Sequence, residues 1–101
     1  MELQFDYYNT QNGLLTLCPN CHSNNLCHAG VEIFERTEDA KEGLHVSVSN
    51  MEVHIDSNIK ANPSSRRHGV VIHCWCENCS VKHVRNIIQH KGSTYIDIIK
   101  E

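Results

Sequence analysis

Apolar and polar residues take turns through the middle of the chain: Leu44, Val46 and Val48 alternate with His45, Ser47 and Ser49, and Met51, Val53 and Ile55 alternate with Glu52, His54 and Asp56. A period of two sends successive side chains to opposite faces of an extended backbone, so each run predicts a strand with one apolar face. The apolar residues are even-numbered in the first run and odd-numbered in the second, so a bulge or break near Asn50 is needed to return them to one face. Residues 13–17, 31–36 and 70–75 read as further strands. Residues 84–89 and 94–99 flank His90-Lys91-Gly92-Ser93, a hairpin signal in which glycine supplies a left-handed backbone position. No amphipathic pattern of three helical turns is present. Residues 37–43 form a charged connection with room for one helical turn, and residues 58–69 carry loop chemistry in Asn62-Pro63-Ser64-Ser65-Arg66-Arg67-His68-Gly69. The pattern predicts an all-β or β-rich small domain.

At 101 residues the chain reads as one domain, 1–101, whose core is too small to be generous. What changes the picture is the cysteine spacing. Cys18-Pro19-Asn20-Cys21 and Cys76-Glu77-Asn78-Cys79 are both C-x-x-C and lie far apart in sequence. Two residues between thiolates let a tight turn aim both sulfurs at one ion, and a structural zinc takes four such ligands at about 2.3 Å, so two pairs complete a site that one pair cannot. The expected ligands of a single structural Zn2+ are Cys18, Cys21, Cys76 and Cys79. Such a site contributes roughly 10 kcal/mol or more to folding. Cys27, beside His28, and Cys74, two residues from Cys76, are the alternative ligands, but both read better as small buried hydrophobes, Cys74 sharing strand parity with Val70 and Ile72.

The residues Leu17-Cys18-Pro19-Asn20-Cys21-His22-Ser23 and Cys76-Glu77-Asn78-Cys79-Ser80 resemble the two knuckles of the zinc-ribbon superfamily. That resemblance implies a ribbon with knuckles at 18–21 and 76–79 and a long β insert, 28–73, between them. The chain departs from the family pattern just after each knuckle, where ribbons usually carry glycine and this chain has His22 and Ser80. In style, including Asn62-Pro63-Ser64-Ser65-Arg66-Arg67-His68-Gly69 and Gln89-His90-Lys91-Gly92-Ser93-Thr94-Tyr95, the chain is similar to small uncharacterised zinc-ribbon proteins of bacteria and their phages, a likeness that implies no activity.

Charge is unevenly spread. Residues 1–60 carry a net −6 and residues 61–101 a net +3, for −3 in all. Four thiolates around zinc add −2, so unspecific binding of nucleic acid is not expected of the whole. The candidate partner surface is the basic part: Arg66, Arg67 and His68 on the loop, with Lys82, Arg85 and Lys91 beyond the second knuckle. Arginines there suit phosphates or an acidic protein, and Trp75 or Tyr95 would stack on a base, although the favoured reading of Trp75 is burial beside the metal turn. Eight histidines are an enrichment without ligand spacing; His73, His83 and His90 would group in a catalytic reading, and otherwise occupy solvent faces. His54 between Glu52 and Asp56 is a weak metal candidate.

Other chemistries fit poorly. A redox dithiol needs a helix N-terminus behind its cysteines, and His22-Ser23-Asn24-Asn25 is turn chemistry instead. A zinc hydrolase needs an open coordination position, which four cysteines close. No H-E-x-x-H, glycine-rich phosphate loop or serine elbow occurs. No secretory leader or apolar run long enough to span a bilayer is read, so the expected setting is cytoplasmic, where thiols bind metal more often than they pair. The sequence reading is thus a non-enzymatic adaptor or regulator binding a macromolecule, protein slightly ahead of nucleic acid, with a phosphate-handling enzyme as the further alternative. A sheet edge such as 94–99 is placed to pair with a partner or a second copy as a homodimer.

Overall fold

Asn50 and Met51 both take positive φ, 51° and 65°, and this resolves the parity switch at the centre of the chain. Two consecutive left-handed residues make the tight hairpin turn whose twist matches that of its strands. The turn joins β4 (Leu44–Ser49) to β5 (Glu52–Asp56), and the register Val48↔Val53 and Val46↔Ile55 brings the even and odd apolar residues onto one face. Lys91 and Gly92, at φ 49° and 80°, do the same between β7 (Lys82–His90) and β8 (Ser93–Lys100).

The structure is a computed structural model and describes residues 2–100. It is all β: among the described residues there is no helix, and the remaining strands are β1 (Gln4–Asp6), β2 (Leu15–Leu17), β3 (Leu26–Glu35) and β6 (Gly69–Cys76). Six of the strands form one antiparallel sheet in the order β5-β4-β3-β6-β7-β8, and β1 pairs with β2 in a small separate ribbon.

Two local expectations are corrected, and one strand lies where the sequence pattern points to none. Residues 37–43 hold no helical turn; Ala40 N donates to Thr37 O at 3.0 Å across a tight turn, with Asp39 at φ 60°. Strand β3 starts at Leu26, not at Val31, because a bulge between His28 and Gly30 shifts the register and breaks the alternation. It also puts Leu26 and His28 on the same face as Val31 and Ile33. Strand β1, in a polar stretch, carries no apolar period of its own and forms by pairing with β2.

The register sorts the six-stranded sheet into two unlike faces. On one, an unbroken aliphatic row crosses every strand: Ile55, Val46, Ile33, Val70, Ile87 and Ile96. Beside it runs Val53, Val48, Val31 and Ile72, ending in Arg85 and Ile98. The other face is polar toward β5, with Glu32, His45, Ser47, His54 and Asp56. There Phe34, 1% exposed, stacks flat on His45 with ring centroids 4.4 Å apart.

The loop 57–68 folds over the polar face. It seats on Gly69, where a Cβ would run into Asn62 and Pro63, so glycine is needed for close approach. Arg36 holds the loop by donating to the carbonyls of Ser64 and Arg67 at 3.0 and 3.3 Å, and ties it to the 37–43 connection through Ala40 O at 3.1 Å. Among the described residues, three of the six buried hydrophobic side chains are cysteines, Cys18, Cys74 and Cys76. The apolar core is accordingly slight, and the cysteine end of the sheet carries much of it.

Candidate metal centre

Strand β2 runs into Cys18, and β6 ends on Cys76, so each cysteine turn is the continuation of a strand. The two turns are built alike. His22 N donates to Cys18 O at 2.9 Å and Cys18 N to Ser23 O at 2.8 Å; Ser80 N donates to Cys76 O at 2.8 Å and Cys76 N to Val81 O at 3.0 Å. His22 and Ser80 each stand at φ 63°, the left-handed position that zinc ribbons usually fill with glycine. Each turn therefore takes a left-handed position without glycine, the residue that adopts it at least cost. His22→Gly and Ser80→Gly are each expected to stabilise the metal-saturated protein by about 1 kcal/mol, read as a higher denaturant midpoint. A lower midpoint would mean that the His22 or Ser80 side chain makes a stabilising contact.

The four sulfurs of Cys18, Cys21, Cys76 and Cys79 lie within 4.8 Å of one another. The Cys18–Cys79 and Cys21–Cys76 Sγ separations are 3.7 and 3.6 Å. Four ligands set tetrahedrally about 2.3 Å from an ion stand about 3.8 Å apart, so the donor set fits a tetrahedral thiolate site and is too open for disulfides. All four cysteines are free thiols, Cys18 and Cys76 buried, Cys21 and Cys79 at the rim.

Asparagine precedes the second cysteine in both turns, and each one crosses to the opposite knuckle. Asn20 Nδ2 donates to Cys79 Sγ at 3.4 Å, and Asn78 Nδ2 donates to Cys21 Sγ at 3.6 Å. Amide donors favour thiolate over thiol. The Asn20 amide, followed by the Val81 backbone, holds Cys79 down to about 6, and Asn78 lowers Cys21. Burial pushes Cys76 the other way, up to about 11. The sequence signal of these two asparagines is the shared pattern C-x-N-C, which C-x-x-C spacing alone does not express.

Cys27 and Cys74 lie outside this cluster. Cys74 is buried on the aliphatic face of β6, and Cys27 Sγ bonds Glu77 Oε1 at 3.2 Å, an acidic neighbour that raises its thiol.

The candidate partner residues do not form one patch. Arg66 is gripped by Asp39 through Nε and Nη2, at 3.1 and 2.9 Å, and by Glu38 at 3.3 Å. His68 Nδ1 accepts from Arg36 N at 3.2 Å, and its carbonyl accepts from Gln89 N at 3.1 Å. Ser64 Oγ donates to Gln89 O at 2.7 Å, so Arg66, Arg67 and His68 sit at the end of β7 that carries Lys91. Lys82 is exposed at the other end, beside the metal turns. Arg85 faces inward: its guanidinium donates to Thr16 Oγ1, to Leu17 O at 3.1 Å and to His83 Nε2 at 3.0 Å, tying the β1–β2 ribbon onto the sheet.

Histidines sort by face as well. His73 and His83 lie on opposite faces of adjacent strands and do not converge. An arrangement invisible in the sequence takes their place: Glu32 bridges two histidines, Oε2 to His73 Nε2 at 2.8 Å and Oε1 to His45 Nε2 at 3.0 Å, and His45 Nδ1 reaches Asp56 at 2.9 Å. These partners come from four strands, which only the register joins. His54 pairs with Glu52 at 3.5 Å, while Asp56 turns to His45.

No protein family, curated protein or solved structure matches the chain. Among the described residues, no helix is long and apolar enough to cross a membrane.

Proposed function

We propose that this chain is a zinc-stapled, ribbon-like binding module of the cytoplasm, a small non-enzymatic adaptor or regulator whose partner is a protein. The observation that carries this reading is the convergence of four sulfurs within 4.8 Å. Zinc suits four soft thiolates at tetrahedral spacing, and such a site leaves no coordination position for water or substrate. The ion's work is then to join strand ends from distant parts of the chain, leaving recognition to the surface.

The charges support a protein over nucleic acid. Arg66 is neutralised by two carboxylates and Arg85 is turned inward, so the expected basic stripe is interrupted, on a chain of net charge −3. What remains at the loop end is Arg67 with Lys91, next to a loop held firmly by Arg36, Ser64 and Asn62. A loop so ordered recognises a partner with little further entropy cost.

The test is retention by the immobilised, metal-loaded chain from an extract of its native host. One protein species is expected to be held, and Arg67→Glu with Lys91→Glu is expected to release it while the circular dichroism stays unchanged. Retention of nucleic acid instead, falling steeply with salt, would replace the protein partner by a nucleic acid. Phosphate-ester turnover lost in His73→Ala would overturn the non-enzymatic reading.

A further inference from the structure

We infer that the aliphatic face of the six-stranded sheet is covered by a second copy of this chain, the two sheets packing face to face as a β-sandwich. Domains are ordinarily two packed layers, because a sheet with an apolar face has to bury it. Here the second layer is incomplete. The β1–β2 ribbon and the metal turns cover the end of the face near Arg85 and Ile98, where Ile98 is 5% exposed. The rest lies open: Ile33 is 47% exposed, Ile55 68% and Ile96 59%.

The size of the deficit matches a dimer. A monomeric protein of 11.5 kDa is expected to expose about 5,800 Å2, and this chain exposes 6891 Å2. The excess, about 1,100 Å2, is close to the roughly 800 Å2 that each partner contributes to a standard interface. The radius of gyration agrees, at 14.7 Å where a domain of this length is expected near 13 Å. Both departures are what half of a sandwich would show.

Self-association is favoured over a foreign partner by charge and symmetry. The row Ile55, Val46, Ile33, Val70, Ile87 and Ile96 is uncharged from one sheet edge to the other, so two copies related by a two-fold axis meet apolar on apolar with no like charges opposed. The carboxylates of Glu32, Glu52, Asp56 and Asp97 belong to the opposite face and point away from such an interface. Of the charged residues at register positions on the apolar face, Glu35 pairs with Leu44 at its rim, Arg85 is held by the ribbon, and Lys100 stands opposite His83 at the covered end. Sheets packed this way stand about 10 Å apart, and the exposed isoleucines would interdigitate across that gap. This interface is distinct from the loop end that carries Arg67 and Lys91, so it does not depend on the proposed partner role.

Sedimentation of the full, metal-loaded chain over micromolar concentrations tests it. The expected species has twice the 11.5 kDa mass. Ile55→Lys and Ile96→Lys, on the two edge strands, each place a charge in both halves of the interface and are expected to weaken the dimer at least about 100-fold. Ile99→Lys lies on the other face of β8 and is expected to leave it intact. A monomeric wild type, or a dimer indifferent to both interface lysines, overturns the inference. So does equal disruption by Ile96→Lys and Ile99→Lys, which would indicate pairing along the β8 edge, and so does a monomer that takes up a lipid vesicle or a different protein on this face.

Discussion

Cys18→Ser, or removal of the ion by a strong chelator, is expected to cost the protein most of its folded structure. Zinc held by four thiolates contributes on the order of 10 kcal/mol, as much as the entire stability of a typical small domain. This chain has little to set against that loss, because half of its buried hydrophobic side chains among the described residues are cysteines at the metal end. A serine at 18 removes a fully buried ligand and leaves Cys79, 3.7 Å away, without its neighbour in the tetrahedron. The expected readings are one bound zinc per wild-type chain, close to none in the variant, and loss of the β signal in far-ultraviolet dichroism. Cys27→Ser is the control, because Cys27 bonds Glu77 outside the cluster and its loss is expected to leave zinc content unchanged. Full metal content and an unaltered melting curve in Cys18→Ser would remove the four-cysteine centre and the role built on it.

Phe34→Ala is expected to destabilise the protein by about 3–5 kcal/mol in chemical denaturation with zinc saturating. Its ring is nearly inaccessible and is the flat surface against which His45 is stacked, the planes only 2° apart. Truncation opens a cavity under the loop 57–68 and frees His45, which joins Glu32 to Asp56. Zinc affinity is expected to change little, because Phe34 pairs with Gly69 at one end of β3 and Leu26 pairs with Cys76 at the other. A cost below about 1 kcal/mol would mean that the loop closes over the gap or that Phe34 packs less tightly than the geometry implies.

Much of this architecture can be read from local rules. The alternation at 44–48 and 51–55, the glycine at 92 and the C-x-x-C spacing each have one economical structural solution, and each is the solution found. The elements that escape these rules have local causes too. The bulge between His28 and Gly30 hides the first half of β3, since one extra residue reverses the side-chain period. Strand β1 has no apolar period and is specified by its pairing with residues 15–17. Arg85 resembles any other surface arginine until β2 is placed beside it, and Arg66 looks free until the turn at Asp39 swings two carboxylates against it.

Taken alone, the amino-acid order determines most of the strands and turns and the spacing of the four clustered cysteines, because steric period, left-handed backbone positions and C-x-x-C spacing all act within a few residues. Which side chains then meet is a matter of register between strands distant along the chain, and only the tertiary structure decides that. It sets Glu32 between His45 and His73, crosses Asn20 and Asn78 onto the opposite knuckles, and gathers aliphatic residues of six strands into one row with part of its area still open. The physical reason is that pairing energies are summed over whole strands, so no short window of sequence contains them.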